Sequence, residues 1–219
     1  MRTIILSVIL ISGAQLSLSQ TVNWRSLQNV EKHIVNLNAG WDYAASFGVG
    51  YGYRLKSKIP LIVGTELSTA SGENLLDDFK TKLGVQAEVF HHDNFSATIK
   101  VHGIFRRYQS ELVTLSNFGS EFSAVMGYYR PRWYAAIELA FDKAIVTHIN
   151  HSSLMEEYYP DIQDGWYIPS GGNFSYGLQV GYTIRSYDIY FKTGKIVTQD
   201  FKTQPSIPAY LQLGFNKKF

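Results

Sequence analysis

The sequence predicts an all-β fold: a closed antiparallel transmembrane β-barrel of ten strands, with eight as the alternative, behind a cleavable signal peptide. Three observations predict it. Apolar and polar residues alternate with period two in repeated segments from about residue 33 to the last residue, which marks strands with two unlike faces. No run of about 18 apolar residues follows residue 19, so no helical span is available. The connections between the segments alternate between short and long, as they do in outer-membrane barrels.

The signal comes first. Arg2 supplies a positive start, residues 4–11 (IILSVILI) a short apolar core, and Ser17 and Ser19 small residues placed for cleavage before Gln20. The apolar run is well short of the roughly 20 residues that a spanning helix needs. The domain reading is therefore a signal peptide at 1–19, a periplasmic lead-in at 20–32 with room for a helical turn, and the barrel at 33–219.

The ten predicted strands cover 33–41, 46–55, 60–70, 79–91, 94–107, 118–130, 132–145, 173–185, 187–197 and 209–219. Their faces are plainest in the middle and at the end of the chain. Phe79, Leu83, Val85, Ala87 and Val89 oppose Lys80, Lys82, Gln86 and Glu88. Phe95, Ala97, Ile99, Val101 and Phe105 oppose Ser96, Thr98, Lys100, His102 and Arg106. Leu211, Leu213, Phe215 and Phe219 oppose Gln212, Gly214, Asn216 and Lys218, whereas Ile62 breaks the pattern of 60–70. Short turns are predicted near 56–59, 92–93, 131 and 186. Longer loops are predicted near 71–78, 109–117, 148–172 and 198–208, and only the first loop, around 42–44, is short. This order places both termini in the periplasm and requires an even strand count.

Alternation does not by itself say which face points inward, because a soluble barrel would hide the apolar one. Aromatic residues lie at or near the ends of the apolar faces (Phe79, Phe95, Phe105, Trp133, Phe141, Phe174, Tyr182), as in a membrane girdle. The opposite faces carry glycine and charges of both signs. Glu66, Lys80, Lys82, Glu88, Lys100, Arg106, Glu121, Glu138, Asp142, Arg185, Asp188 and Lys192 are predicted to share one lumen and to pair across it.

Composition narrows the function. The chain has no cysteine, which removes disulfide scaffolds, thiol catalysis and a lipidated N-terminal cysteine. Its formal net charge is +2 with no basic tract, so nucleic acid is not an expected partner. At 45% hydrophobic and 15% aromatic it is not a disordered chain.

The ending YLQLGFNKKF, with Phe215 and terminal Phe219 in register, resembles the C-terminal signal of Gram-negative outer-membrane proteins, which implies recognition by the barrel-assembly machinery. Lys217 departs from that pattern, since it falls on the lipid-facing parity; its long stem allows the charge to reach the interface. GVGYGYRL (48–55) and FSYGLQVGYTIR (174–185) resemble strands of small porin-like families. NLNAGWDYA (36–44) and ENLLDDFKTK (73–82) resemble an uncharacterised group of Bacteroidota outer-membrane barrels. These resemblances imply a cell outer-membrane location, with lipids and the assembly machinery as partners and room for an outer-membrane protein partner.

Candidate chemistry is thin. Ten-stranded barrels include outer-membrane proteases with Asp and His at the outer rim, and Asp142, His148 and His151 lie near one strand end, but no paired-Asp motif of that family is present. His148 and His151 with Glu156, Glu157, Asp161 and Asp164 lack a regular metal-binding spacing. No catalytic or metal residue, no cofactor and no enzymatic activity is expected. EEYYPDIQDGWYIP (156–169) places Tyr158, Tyr159, Trp166 and Tyr167 among acids, a composition suited to recognition and equally to packing on the barrel mouth. The expected function is structural or interaction-based, with a narrow, charged, occluded lumen and loop 148–172 as the recognition surface; a narrow pore is the alternative.

Overall fold

The computed structural model describes residues 21–41, 44–71, 77–169, 171–200 and 207–219. The predicted signal peptide at 1–19, Asp42 of the first predicted loop, and most of the predicted loops at 71–78 and 198–208 lie outside the described residues. The strands are β1 (His33–Trp41), β2 (Ala45–Leu55), β3 (Leu61–Ala70), β4 (Asp78–His92), β5 (Phe95–Gln109), β6 (Val113–Tyr129), β7 (Trp133–His151), β8 (Gly165–Tyr167), β9 (Gly172–Ile184), β10 (Tyr187–Thr198) and β11 (Ala209–Lys218). A short helix α1 (Ser153–Tyr158) lies between β7 and β8.

Every strand is antiparallel to its neighbours. β7 pairs with β9 from Trp133 opposite Tyr182 to Lys143 opposite Gly172. β11 closes on β1 from Ile34 opposite Lys218 to Trp41 opposite Leu211. Ten strands thus form one ring, and β8 is a short addition to β7 opposite Thr147–Ile149. Closure removes both sheet edges, which is what a bilayer demands of strands, because unpaired backbone groups have no water there.

The faces invert the order of a soluble protein. Leu83, Met126 and Leu213 stand 64%, 65% and 55% exposed outside, while Lys82, Lys100 and Lys192 are buried inside. This is the apolar-out, polar-in alternation of a transmembrane barrel. The outer aromatics form two bands. Near the short turns, Phe95 meets Tyr128, Tyr128 meets Trp133, and Tyr187 stacks on Phe215. Near the long loops lie Phe79, Phe105 and Phe118 in a row, and Phe141 against Phe174.

The strand boundaries differ from expectation at the long-loop end. β6 begins at Val113 and β7 runs to His151, so the predicted loop at 109–117 shrinks to a three-residue turn and the 148–172 loop loses its first four residues to β7. β4 to β7 span 15, 15, 17 and 19 residues, against about 9–11 for a tilted crossing. Their upper turns rise past the apolar belt through the headgroup region, where the outer face is no longer bound to be apolar throughout. The period-2 signal fades there although the ladder continues, as Thr114, Ser116 and Asn117 opposite Asn150, His148 and Thr147 illustrate. A bulge between Phe118 and Gly119 also shifts the facing of β7 above Ala144.

Inside, large rings sit over glycines. The Tyr190 ring lies where Gly214 would carry a side chain, and the Tyr134 ring does the same at Gly181. Both tyrosines are buried. A narrow ring accepts such bulk only where a neighbouring strand presents no Cβ.

Candidate functional site

The lumen is built in levels. At the short-turn end, residues 21–26 turn up into the ring. Trp24–Ser26 make one 3-10 turn capped by Asn23, whose Oδ1 accepts from Arg25 N at 3.1 Å. The capping geometry suits a short turn held by tertiary contacts rather than by its own length. Asn23 Nδ2 donates to Thr183 Oγ1 at 3.0 Å and to the Arg130 carbonyl at 2.9 Å. Trp24 Nε1 donates to Thr98 Oγ1 at 2.8 Å, and Thr21 Oγ1 to Gln179 at 2.8 Å. Asn216 Nδ2 donates to the Thr21 carbonyl, and Lys218 Nζ to Ser26 Oγ, each at 2.6 Å.

Val22 and Trp24 pack there with Ile34, Ile62, Val125, Tyr129, Tyr134 and Tyr190. Apolar residues fill this end of an otherwise polar lumen, and they contact strands from both halves of the ring. The lead-in at 20–32 is therefore, over 21–26, an inserted segment, and its helical content is a single 3-10 turn.

Above it the lumen is crossed by charge. Glu138 of β7 accepts from Lys100 of β5 at 2.9 Å and faces Lys192 of β10 at 3.2 Å. Glu121 of β6 pairs with Lys82 of β4 and lies 3.2 Å from His102 Nδ1 of β5. Level with the inserted segment, Asp188 meets Lys218 at 2.9 Å and accepts from Thr183 at 2.7 Å. Glu88 accepts from Ser96 at 2.6 Å and lies 3.5 Å from Arg25. Glu66 accepts from Asn38 at 3.1 Å. Arg106 meets Asp78 nearer the long loops at 2.9 Å. Lys80 is buried inside the ring, and Asp142 is partly buried opposite Glu121.

Eleven of the twelve predicted lumen charges thus point inward. Arg185 is the correction. It is exposed in the two-residue turn between β9 and β10 at φ 55°, because the strand ends one residue earlier than its alternation implies.

Contributors outside the predicted charge set include Trp24, Arg25, His102, Asp78 and Lys218. Trp24 has no strand pattern to reveal it. The anomaly at Ile62 is its trace, since an apolar side chain on a polar inner face needs an apolar partner in the lumen. A cavity of ≈ 20 Å³ remains between Ile62, Gly64, Glu66, Lys82, Gln86 and His102, room for about one water molecule.

The outer residues fall in two groups. Tyr158 and Tyr159 are exposed at the end of α1. Trp166 instead lies against His148 at 4.8 Å and Phe118 at 6.2 Å, on the barrel's outer face. Tyr167 donates to the Gln163 carbonyl at 2.8 Å. Asp142 and His148 occupy opposite faces of β7, so they do not converge. His151 instead pairs with Asp164, ring to carboxylate, at 2.7 Å. Among the described residues no three His, Asp or Glu side chains gather as a metal site would require.

At the closing seam, the Phe219 carbonyl accepts from Lys32 N and His33 N, each at 2.9 Å. Lys217 Nζ sits 5.8 Å from the Tyr187 ring and 5.5 Å from that of Phe219, so its charge is held among interfacial aromatics.

No family model and no curated protein matches the chain. Among solved structures it is similar to the KdgM porin, at 9% identity and a TM-score of 0.45 over 85% of this chain and 99% of that one. It is also similar to the outer membrane protease OmpT from Escherichia coli, at 8% identity and 0.41 over 86% and 94%. A third is the Yersinia pestis outer membrane protein Ail, at 12% and 0.33 over 86% and 99%. These likenesses are of barrel outline, and no residue role passes from them to this chain.

Proposed function

We propose that this protein is an outer-membrane barrel whose lumen is closed by its own N-terminal segment and by cross-lumen ion pairs, and which acts as a membrane-stable platform for its long-loop end. The observation that carries this reading is the insertion of Thr21–Ser26, with Trp24 buried in an apolar cluster drawn from β1, β3, β6, β7 and β10. Above it, Lys100, Glu138 and Lys192 join β5, β7 and β10 across the ring. A ring of ten strands has little width to spare once such side chains enter, since about eight strands are just filled by them. Closure at two successive levels favours a platform over a conduit.

In this reading the long loops face the outside and both termini the periplasm. Tyr158 and Tyr159 are exposed aromatics available to a partner such as another outer-membrane protein, by stacking and hydrogen-bonding chemistry. Phe219 completes the seam by which the assembly machinery closes the ring, and its deletion is expected to lower barrel yield with export intact.

Planar-bilayer recording of the purified full-length protein tests the closure: no steady conductance is expected. A steady single-channel current would overturn it and establish the rival narrow pore. Orientation is tested by single cysteines, which the natural sequence lacks. One at Tyr158 should label on intact cells and one at Asp93 should not; the opposite result reverses the topology.

A further inference from the structure

The outer aromatic band does not stop at the barrel wall. On consecutive strands, Phe79 and Phe105 lie 5.9 Å apart and Phe105 and Phe118 4.9 Å apart. The next ring, 6.2 Å from Phe118, is Trp166, which belongs to the loop and not to the ten-stranded ring. It reaches that place through β8, which pairs with Thr147–Ile149 of β7. β9 leaves β7 at Lys143, so β8 takes up the edge of β7 above that point and extends the outer sheet surface. His148 opposite Trp166 fixes the facing: both point outward with Phe118, on the same side as the apolar belt.

This surface ends on an exposed side chain. Trp166 is 61% exposed, and Ile168, two residues on, is 86% exposed. Leaving a Trp and an Ile in water side by side forfeits much of their burial energy, and the Trp ring has an N–H suited to a boundary that is apolar on one side and wet on the other. Residues 152–169 contain four acids and no base, and all four precede β8; Asp164 pairs with His151, and Glu156, Glu157 and Asp161 can remain in water.

We infer that the β8 segment is a membrane-interface anchor, with Trp166 and Ile168 seated at the boundary between headgroups and acyl chains. The partner surface is lipid, because the patch continues the lipid-facing belt without a gap; the inference rests on the membrane-barrel reading in this respect. The loop is then divided in function. Its β8 half is held down on the bilayer, and its α1 half, with Tyr158 and Tyr159, is the part left free for recognition.

The test uses the full-length protein in proteoliposomes with a polarity-sensitive dye on a single cysteine, placed at Ile168 in one variant and at Leu139, mid-belt on β7, in another. Lipids bearing a nitroxide close to the headgroup are expected to quench the dye at 168, with blue-shifted emission and little quenching by aqueous iodide. Replacing Trp166 by Ala in the I168C protein is expected to shift the emission red and restore iodide quenching. Iodide quenching at 168 together with lipid quenching at 139 would overturn the anchor and leave the barrel reading intact. Absence of lipid quenching at both positions would overturn the membrane reading and the anchor together.

Discussion

At the short-turn end the lumen is packed with apolar side chains around Trp24, whereas toward the long loops it is spanned by ion pairs and flanked by strands that rise beyond the belt. The two regions stop the lumen by different physics. The lower one is a small hydrophobic core inside a barrel, held by dispersion, by hydrogen bonds from Thr21, Asn23 and Trp24, and by one buried ion pair, Lys218 with Asp188. The middle one is a set of buried charges, each of which must be matched by another because desolvated charge is costly. Higher still, Arg106 and Asp78 are less deeply buried than the middle pairs, and their attraction is screened somewhat more. The barrel is thus tightest where its own chain enters, and loosens toward the end that carries the loops.

The largest expected effect breaks the lower region. Trp24→Ala removes the ring that fills the short-turn end and leaves Thr98 without its donor. A cost of about 3–5 kcal/mol in barrel stability is expected, as for large aromatic truncations in cores, read from urea unfolding in lipid. Arg106→Ala at the upper pair should cost less than Trp24→Ala. Equal losses would erase the distinction between the two ends.

The middle region is tested by Glu138→Gln. The amide keeps one acceptor for Lys100 or Lys192 but removes the counter-charge that the two buried cations share. About 3 kcal/mol of destabilisation is expected. Adding Lys192→Met to the same chain should restore part of it, because one of the two cations is then gone. A double variant less stable than the single one would show that the lysine is held by other groups.

How much of this contrast is legible in the sequence follows from the same physics. The middle region is readable, since strands crossing lipid must alternate, and Lys82, Lys100, Glu121 and Glu138 each fall on the polar parity of their own strand. The upper wall is not, because Ser116 and Asn117 lie beyond the belt, where nothing forces one face to be apolar. Trp24 escapes for a different reason: a six-residue insert held by tertiary contacts has no period. Ile34, Ile62 and Val125, apolar residues on otherwise polar inner faces, are what point to it. Trp166 is visible as an aromatic in a loop, but its place on the outer wall depends on the β7–β8 pairing, which three residues cannot announce.

The smallest expected effect sharpens the upper end. Asp164 accepts from the His151 backbone N–H at 2.9 Å and meets its ring at 2.7 Å. The backbone donor, and then the ring, hold its carboxyl below the ordinary aspartate range. A carboxyl held low favours the tethered loop at any pH above that range, and the advantage is lost as pH falls through Asp164's own lowered value. A spin label on the I168C protein should therefore be as immobile at neutral pH as at mildly acidic pH, and gain mobility only under stronger acid. In Asp164→Asn, which has no carboxyl to titrate, the label should be more mobile at neutral pH and the acid response should shrink. An acid response of undiminished size in that variant would assign it to Glu156, Glu157 or Asp161 instead. In either variant the lumen around Trp24 should be unmoved, because a tether at the surface of one end has no contact with the core that closes the other.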